Sequence, residues 1–315
     1  MKIRGRRKAA GVSALSGAEG GLHPLRGQGG DHRARHQRGP GGPGGPKRPG
    51  GPPKMISEIE YTDLGNGIYD FACPPVGFHC YLVLGTERAV MIDSGMGIGS
   101  LMEKIRQVTS LPVSLMLTHG HPDHGGGAAE FDKVEMWEAD FDVYEKMAGK
   151  EFRIGDVSHM PGGEEKISKL QPDGPAPSPL ADGQEIDLGG RSLKVIYAPG
   201  HTHGSVAYYD SQTGTMFTGD NVQGFETTLR EWNSGTIEQY VDTLNRLKSF
   251  NPTVLYGGHG PNKIDPSQID KYLECATDIL NGAEGEERQG RMGGGVNLVY
   301  EKNGVAIAYT KEHIR

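Results

Sequence analysis

From residue 55 onward the apolar positions come in short bursts whose spacing changes along the chain. Runs at 56–61, 67–72, 80–84 and 89–92 are rich in β-formers and parted by Gly, Asn and Thr-Glu turn signals, which predicts an antiparallel meander. The period then lengthens: Ile98, Leu101, Met102, Ile105 and Val108 form one apolar stripe at helical spacing. A buried strand is expected at 112–117, another strand at 134–137 and a helix at 139–148. Residues 149–181 are Gly/Pro-rich and weakly patterned, too long for a plain connection, and are expected to be a lid or a substrate wall, or else disordered. Strands resume at 184–188 and 193–198 around Gly189–Gly190, then at 205–209 and 215–218. Ile237, Tyr240, Val241, Leu244 and Leu247 mark an amphipathic helix over 236–250, followed by a strand at 254–256 and a helix at 266–280. Strands at 296–300 and 305–309 close the chain on Asn303–Gly304, a type I′ turn signal. Hairpins interrupt the strand–helix alternation, so the order predicts an α+β fold of two sheets flanked by helices rather than a doubly wound parallel sheet.

Composition divides the chain at residue 54. Residues 1–54 carry 12 Lys and Arg against 2 Asp and Glu, in Gly/Pro/Arg repeats such as "GPGGPGGPKRPGGPP". So few apolar side chains cannot offset the entropy of ordering, and this segment is expected to be disordered. The favoured reading is that translation starts at Met55. The alternatives are a basic arm for nucleic acid or a membrane surface, and a transit peptide, against which the Gly/Pro density argues. Residues 55–315 hold 21 basic and 38 acidic side chains, enough chain for one well-buried domain and a charge unsuited to a general polyanion surface. No apolar run is long enough to span a membrane, and no secretory h-region precedes or follows Met55. Cys73, Cys80 and Cys275 form no CxxC pair and read as buried or incidental thiols of a reducing compartment, with the cytoplasm as the expected location.

The chemistry sits where apolar runs end. "THGHPDHGGG" follows 112–117, "APGHTHGS" follows 193–198, "MFTGDN" spans the end of 215–218, and "LYGGHGP" the end of 254–256. Each ends in a His or Asp beside glycine, and strand ends in layered folds share one rim, so four of them can bring distant ligands to one point. Glycines there let the backbone pass close to a metal.

The HxHxDH motif at His119, His121, Asp123 and His124, followed by His201, Asp220 and His259, resembles the metallo-β-lactamase superfamily. "VMIDSG", which carries Asp93, resembles that family's first Asp-bearing strand end. The resemblance covers nearly all of 55–315 and implies an αββα sandwich of two mixed sheets and a site for two divalent metal ions. His119, His121 and His201 would hold one metal, Asp123, His124 and His259 the other, and Asp220 would bridge both. Imidazole and carboxylate donors suit zinc first, with iron or manganese as alternatives. Two such cations would activate a bridging hydroxide, with Asp123 able to shuttle a proton and Asp93 orienting a ligand histidine. A closed structural site is disfavoured because no candidate ligand is Cys. His79, His159 and His203 are expected to be solvated or hydrogen-bonded residues away from the metals.

The resemblance divides at the reaction. Asp220, where the commonest zinc β-lactamases carry Cys, argues against antibiotic hydrolysis, and His121 argues against a flavodiiron oxygen reductase. The leading expectation is hydrolysis of an ester-type bond, a thioester or lactone, in a small molecule, as in glyoxalase II and the lactonases. The helical region that grips glutathione in glyoxalase II is not evident after His259. A mononuclear iron sulfur dioxygenase and a phosphodiesterase or nuclease are the alternatives. Phe225 and Trp232 are expected as an apolar substrate wall, and Arg230 as a carboxylate anchor. Nothing in the sequence fixes the oligomeric state.

Overall fold

A computed structural model describes residues 55–289 and 296–315, so the expectations for 1–54 lie outside the described residues. The first sheet takes its seven strands in chain order: β1 (Glu60–Gly65), β2 (Ile68–Cys73), β3 (Phe78–Leu84), β4 (Ala89–Ile92), β5 (Val113–Met116), β6 (Val134–Met136) and β7 (Ser178–Pro179). β1 to β4 are the antiparallel meander, and pairing turns parallel from β4 onward, which requires crossovers. Those crossovers are α1 (Leu101–Val108), the single turn α2 (Pro122–Gly125), α3 (Phe141–Met147), α4 (Lys150–Ser158) and α5 (Gly163–Ser168). α1 starts where the Ser100 hydroxyl accepts the Glu103 N–H, while the Glu130 carboxylate accepts from Leu101 N and Met102 N.

The second sheet has the order β13-β11-β10-β9-β8, from β8 (Glu185–Asp187), β9 (Ser192–Tyr197), β10 (Val206–Asp210), β11 (Thr215–Gly219) and β13 (Val254–Gly257). β13 runs parallel to β11 because α6 (Ile237–Ser249) intervenes, entered through a capping box of Thr236 and Gln239. α7 (Gln268–Leu280) follows β13.

Burial on both faces explains why Cys80–Val83, β4 and Val206–Tyr208 read as unbroken apolar runs. Tyr81, Val83, Val90 and Ile92 of the first sheet meet Val195, Val206, Tyr208 and Phe217 of the second in one cluster. Leu82 and Met91 point the other way, onto Leu101, Ile105, Tyr144 and Val157 of the helices. On the far side Ile196, Ala207 and Met216 pack against Tyr240, Leu244 and Tyr272. The layers are therefore helix, sheet, sheet, helix, and each large apolar side chain so enclosed contributes roughly 1.5–3 kcal/mol. The expected α+β sandwich is what the chain forms.

Three details depart from the sequence reading. The first strand starts at Glu60 rather than 56. The C-terminal hairpin, β15 (Val296–Lys302) and β16 (Val305–Tyr309), joins neither main sheet; with β12 (Glu226–Leu229) and β14 (Glu286–Gln289) it builds a third, β12-β16-β15-β14. Its turn is as expected, with φ of 54° at Asn303 and 80° at Gly304. Residues 149–181 are no structureless lid, because they carry α4, α5 and β7. Buried Arg153 pins them by donating to the carbonyls of Ala148, Met96, Gln171 and Pro172 at 2.8–3.1 Å. Cys73, Cys80 and Cys275 are buried free thiols, as expected. No helix among the described residues is long and apolar enough to cross a membrane.

Candidate metal centre

β4, β5, β9, β11 and β13 all deliver a polar residue just past their last strand position, and the five ends meet. β5 leads into Thr118 and His119. His121 is the N-cap of α2 with Pro122 at the first helical position, so a one-turn helix follows and carries Asp123 and His124 back over the strand ends. β9 leads to His201, β11 to Asp220 and β13 to His259.

Two clusters result. In the first, His121 Nδ1 lies 3.1 Å from His119 Nε2 and 3.0 Å from His201 Nε2. In the second, His259 Nε2 lies 3.2 Å from Asp123 Oδ2 and 3.1 Å from Asp220 Oδ2, while His124 Nε2 is 3.7 Å from Asp123 Oδ2. Asp220 faces both, with Oδ1 3.3 Å from His124 Nε2 and Oδ2 3.7 Å from His201 Nε2. All seven residues expected as ligands are thus brought together.

The donor set fits metal ions. The nitrogen separations in the first cluster approach the ~3.3 Å edge of a tetrahedron built on Zn–N bonds of ~2.0–2.1 Å. His124 Nε2 and Asp220 Oδ1 are buried and have no hydrogen-bond partner among the described residues, although they face each other. Buried polar atoms left unpaired cost free energy, and a shared cation would satisfy both.

The electrostatics divide along the same line. Burial, reinforced by the neighbouring imidazoles, holds the pKa of His119 well below the ordinary value and that of His121 at about 3, so both rings are neutral. In the second cluster burial opposes charge, but it is outweighed. The carboxylates of Asp93, Asp220 and Asp123 raise His124, and chiefly Asp220 and Asp123 carry His259 to about 10. Burial likewise disfavours ionised Asp220 and Asp123, yet His259 and His124 hold both below the usual carboxylate range. Two paired carboxylates demand positive charge there, which a divalent cation would supply with the imidazoles neutral.

Outer contacts fix the rings. Asp93 Oδ2 accepts from His124 Nδ1 at 2.8 Å, the orienting position expected of Asp93, and its two oxygens also take the Thr118 N–H and hydroxyl at 2.7 and 2.8 Å. His201 Nδ1 meets the Thr228 carbonyl at 2.9 Å, and His121 Nε2 meets Asn233 Nδ2 at 3.3 Å.

Asp140 was not singled out by the sequence, where "EADF" looks like a helix start. Its side chain caps nothing; fully buried, it accepts from Gly120 N, Thr202 Oγ1 and Gly204 N at 2.7–2.9 Å, tying the His119–His121 loop to the His201 loop. Asp140→Ala is expected to orphan three donors and to cost about 3–5 kcal/mol of stability, measured by urea unfolding. A loss under about 1 kcal/mol, the net worth of a single ordinary hydrogen bond, would refute this role.

The residues expected to meet substrate have the following surroundings. Phe225 packs against Val299, Ala306 and Ala308 of the third sheet. Arg230 Nε pairs with the adjacent Glu231 at 3.1 Å. Trp232 is 63% exposed, with Lys146 Nζ 5.4 Å from its ring centroid. His203 and His159 are both exposed, as expected. His79 is hydrogen-bonded, but within the fold, to Asp70 and Gly260.

Comparison with known proteins agrees with this geometry. A family model described as the metallo-beta-lactamase superfamily matches residues 74–259. Acyl-coenzyme A thioesterase MBLAC2 of Homo sapiens is 30% identical over 187 residues, covering 53% of this chain and 66% of that protein. Atrochrysone carboxyl ACP thioesterase of Emericella nidulans is 25% identical over 234 residues, covering 71% of this chain and 66% of the relative. The chain thus spans just under two thirds of the length of these relatives. Among solved structures, a metallo-beta-lactamase family protein from Thermus thermophilus superposes with a TM-score of 0.53 at 22% identity, over 70% of this chain and 82% of that one. An archaeal superfamily protein from Sulfolobus tokodaii gives 0.51 at 22% identity, over 72% and 91%.

Proposed function

This chain belongs to the metallo-β-lactamase superfamily, and from that premise we propose that it is a dinuclear metal-dependent hydrolase of small-molecule thioesters. Convergence of the seven residues into overlapping groups, with Asp220 between His124 and His201, is the observation that carries the reading. His119, His121 and His201 would hold one ion, Asp123, His124 and His259 the second, with Asp220 between. Zinc suits this set of imidazoles and carboxylates, and iron or manganese would also be accepted. The thioester preference comes from the two relatives named for thioesterase activity, and it narrows the ester-type bond expected from the sequence.

When bound, the two ions supply a nucleophile at neutral pH and polarise the carbonyl under attack. The chain's own residues do the rest. His119 and His121, kept neutral by burial, present lone pairs rather than protons to the site. Asp123, with its side chain 21% exposed, would take a proton from the attacking water and return it to the departing thiolate. Asp93 and the Thr228 carbonyl prevent His124 and His201 from turning away.

Purified protein should be assayed on an acyl-coenzyme A, a lactone, a simple ester and a phosphodiester, before and after exhaustive chelation. Thioester cleavage should dominate, fall to background on chelation and return with added zinc. Phosphodiester cleavage as the main activity, or thioester cleavage that survives chelation, would overturn the reading.

A further inference from the structure

His259 is the least enclosed of the imidazole donors, with 30% of its side chain exposed, and it lies just past the point where β13 leaves its sheet, the last tie to β11 being the Gly258 N–H donating to the Gly219 carbonyl at 3.0 Å. Gly257, Gly258 and Gly260 surround it, and Gly260 adopts φ of +86°, a left-handed conformation natural to glycine. A chain so rich in glycine has high conformational freedom, so beyond the Gly258–Gly219 tie its position depends on further contacts. The outside hold comes from β2 and β3. The Tyr81 hydroxyl donates to the Gly257 carbonyl at 2.7 Å, and the His79 N–H to the Gly258 carbonyl at 3.0 Å. The His79 ring completes the grip: Nδ1 lies 2.9 and 3.0 Å from the Asp70 carboxylate oxygens, and Nε2 lies 2.8 Å from the Gly260 carbonyl. Asn262 Nδ2 reaches the same carboxylate at 3.2 Å.

Both nitrogens of the His79 ring face oxygens that can only accept. The ring therefore serves as a double donor, and a neutral ring would set a lone pair against an oxygen at one end. Burial works against its charge, but the Asp70 hydrogen bond and charge outweigh it and raise its pKa.

We propose that the Asp70–His79 pair is a clasp that positions His259 and so decides whether the second metal site fills. Residues separated by most of the chain meet here, and the pair touches none of the first cluster. The inference rests on the two-metal reading, yet it fails separately. Removing the clasp frees the loop and weakens the site of Asp123, His124 and His259, while His119, His121 and His201 keep their own supports. His79 is a positioning residue, acting through the backbone that carries the ligand.

The test is zinc titration of metal-free full-length protein against a chromophoric chelator, which resolves successive affinities without any substrate. Wild-type protein should bind two equivalents. His79→Leu should keep the tighter step within about twofold and weaken the other by roughly 10–100-fold, the usual cost of losing an outer partner of a metal ligand. Asp70→Asn, nearly isosteric, should give the same one-sided loss and keeps the test alive if His79→Leu does not fold. Two steps that are unchanged, or weakened equally, would overturn the clasp alone. Wild-type protein binding a single equivalent would overturn the two-metal reading and the clasp with it.

Discussion

Asp220→Ala is expected to lower thioester hydrolysis by about a thousandfold or more and to leave at most one metal per chain. Asp220 faces both clusters, with Oδ1 3.3 Å from His124 Nε2 in the second and Oδ2 3.7 Å from His201 Nε2 in the first. Its loss removes charge stabilisation worth several kcal/mol in a two-metal site, and each ~1.36 kcal/mol is tenfold in rate. The fold should tolerate the change, since the Asp220 backbone is held independently: its carbonyl accepts from Thr227 Oγ1 at 2.6 Å and Gln223 Nε2 at 3.2 Å. Steady-state rates and metal analysis on the same preparation check this. Activity within tenfold of wild type would contradict the bridging role.

Gly258→Ala should be nearly as damaging although it adds a single methyl group. A Cβ there would come 2.4 Å from Asp220 Oδ1 and 2.7 Å from His124 Cε1, so both donors must shift. Metal-site geometry is intolerant of displacements of this size, and a loss of roughly a hundredfold in activity is expected. The strain falls on the site rather than on the core, so the melting temperature of the metal-free variant should move by only a few degrees. Thermal unfolding measured beside the activity separates the two effects. Unimpaired activity would mean that Asp220 and His124 do not hold these positions in the working protein.

The candidate site was legible because its residues are local to strand ends. Each apolar run announced a strand, each run ended in a His or Asp beside glycine, and HxHxDH placed four donors within six residues. The sandwich was legible for a related reason, since doubly buried strands and amphipathic helices leave different periods. Illegible parts are those whose order comes from tertiary contact. β12 and β14 are short and polar, and only pairing with the C-terminal hairpin makes them strands. α4 and α5 lie in a Gly/Pro-rich stretch without a clear stripe, and the carbonyls that fix Arg153 are spread from Met96 to Pro172. Asp140 looked like a helix start because the loops it ties together lie far from it in sequence. His79 meets Gly260 from 181 positions away, a contact no local pattern can signal.

Anomalous diffraction from crystals grown with zinc, recorded on either side of the metal edge, examines the central claim most directly. The account requires two peaks per chain, one among the ring nitrogens of His119, His121 and His201, the other among Asp123, His124 and His259, with Asp220 reaching both. One peak enclosed by four donors, or zinc bound only elsewhere on the chain, would contradict it.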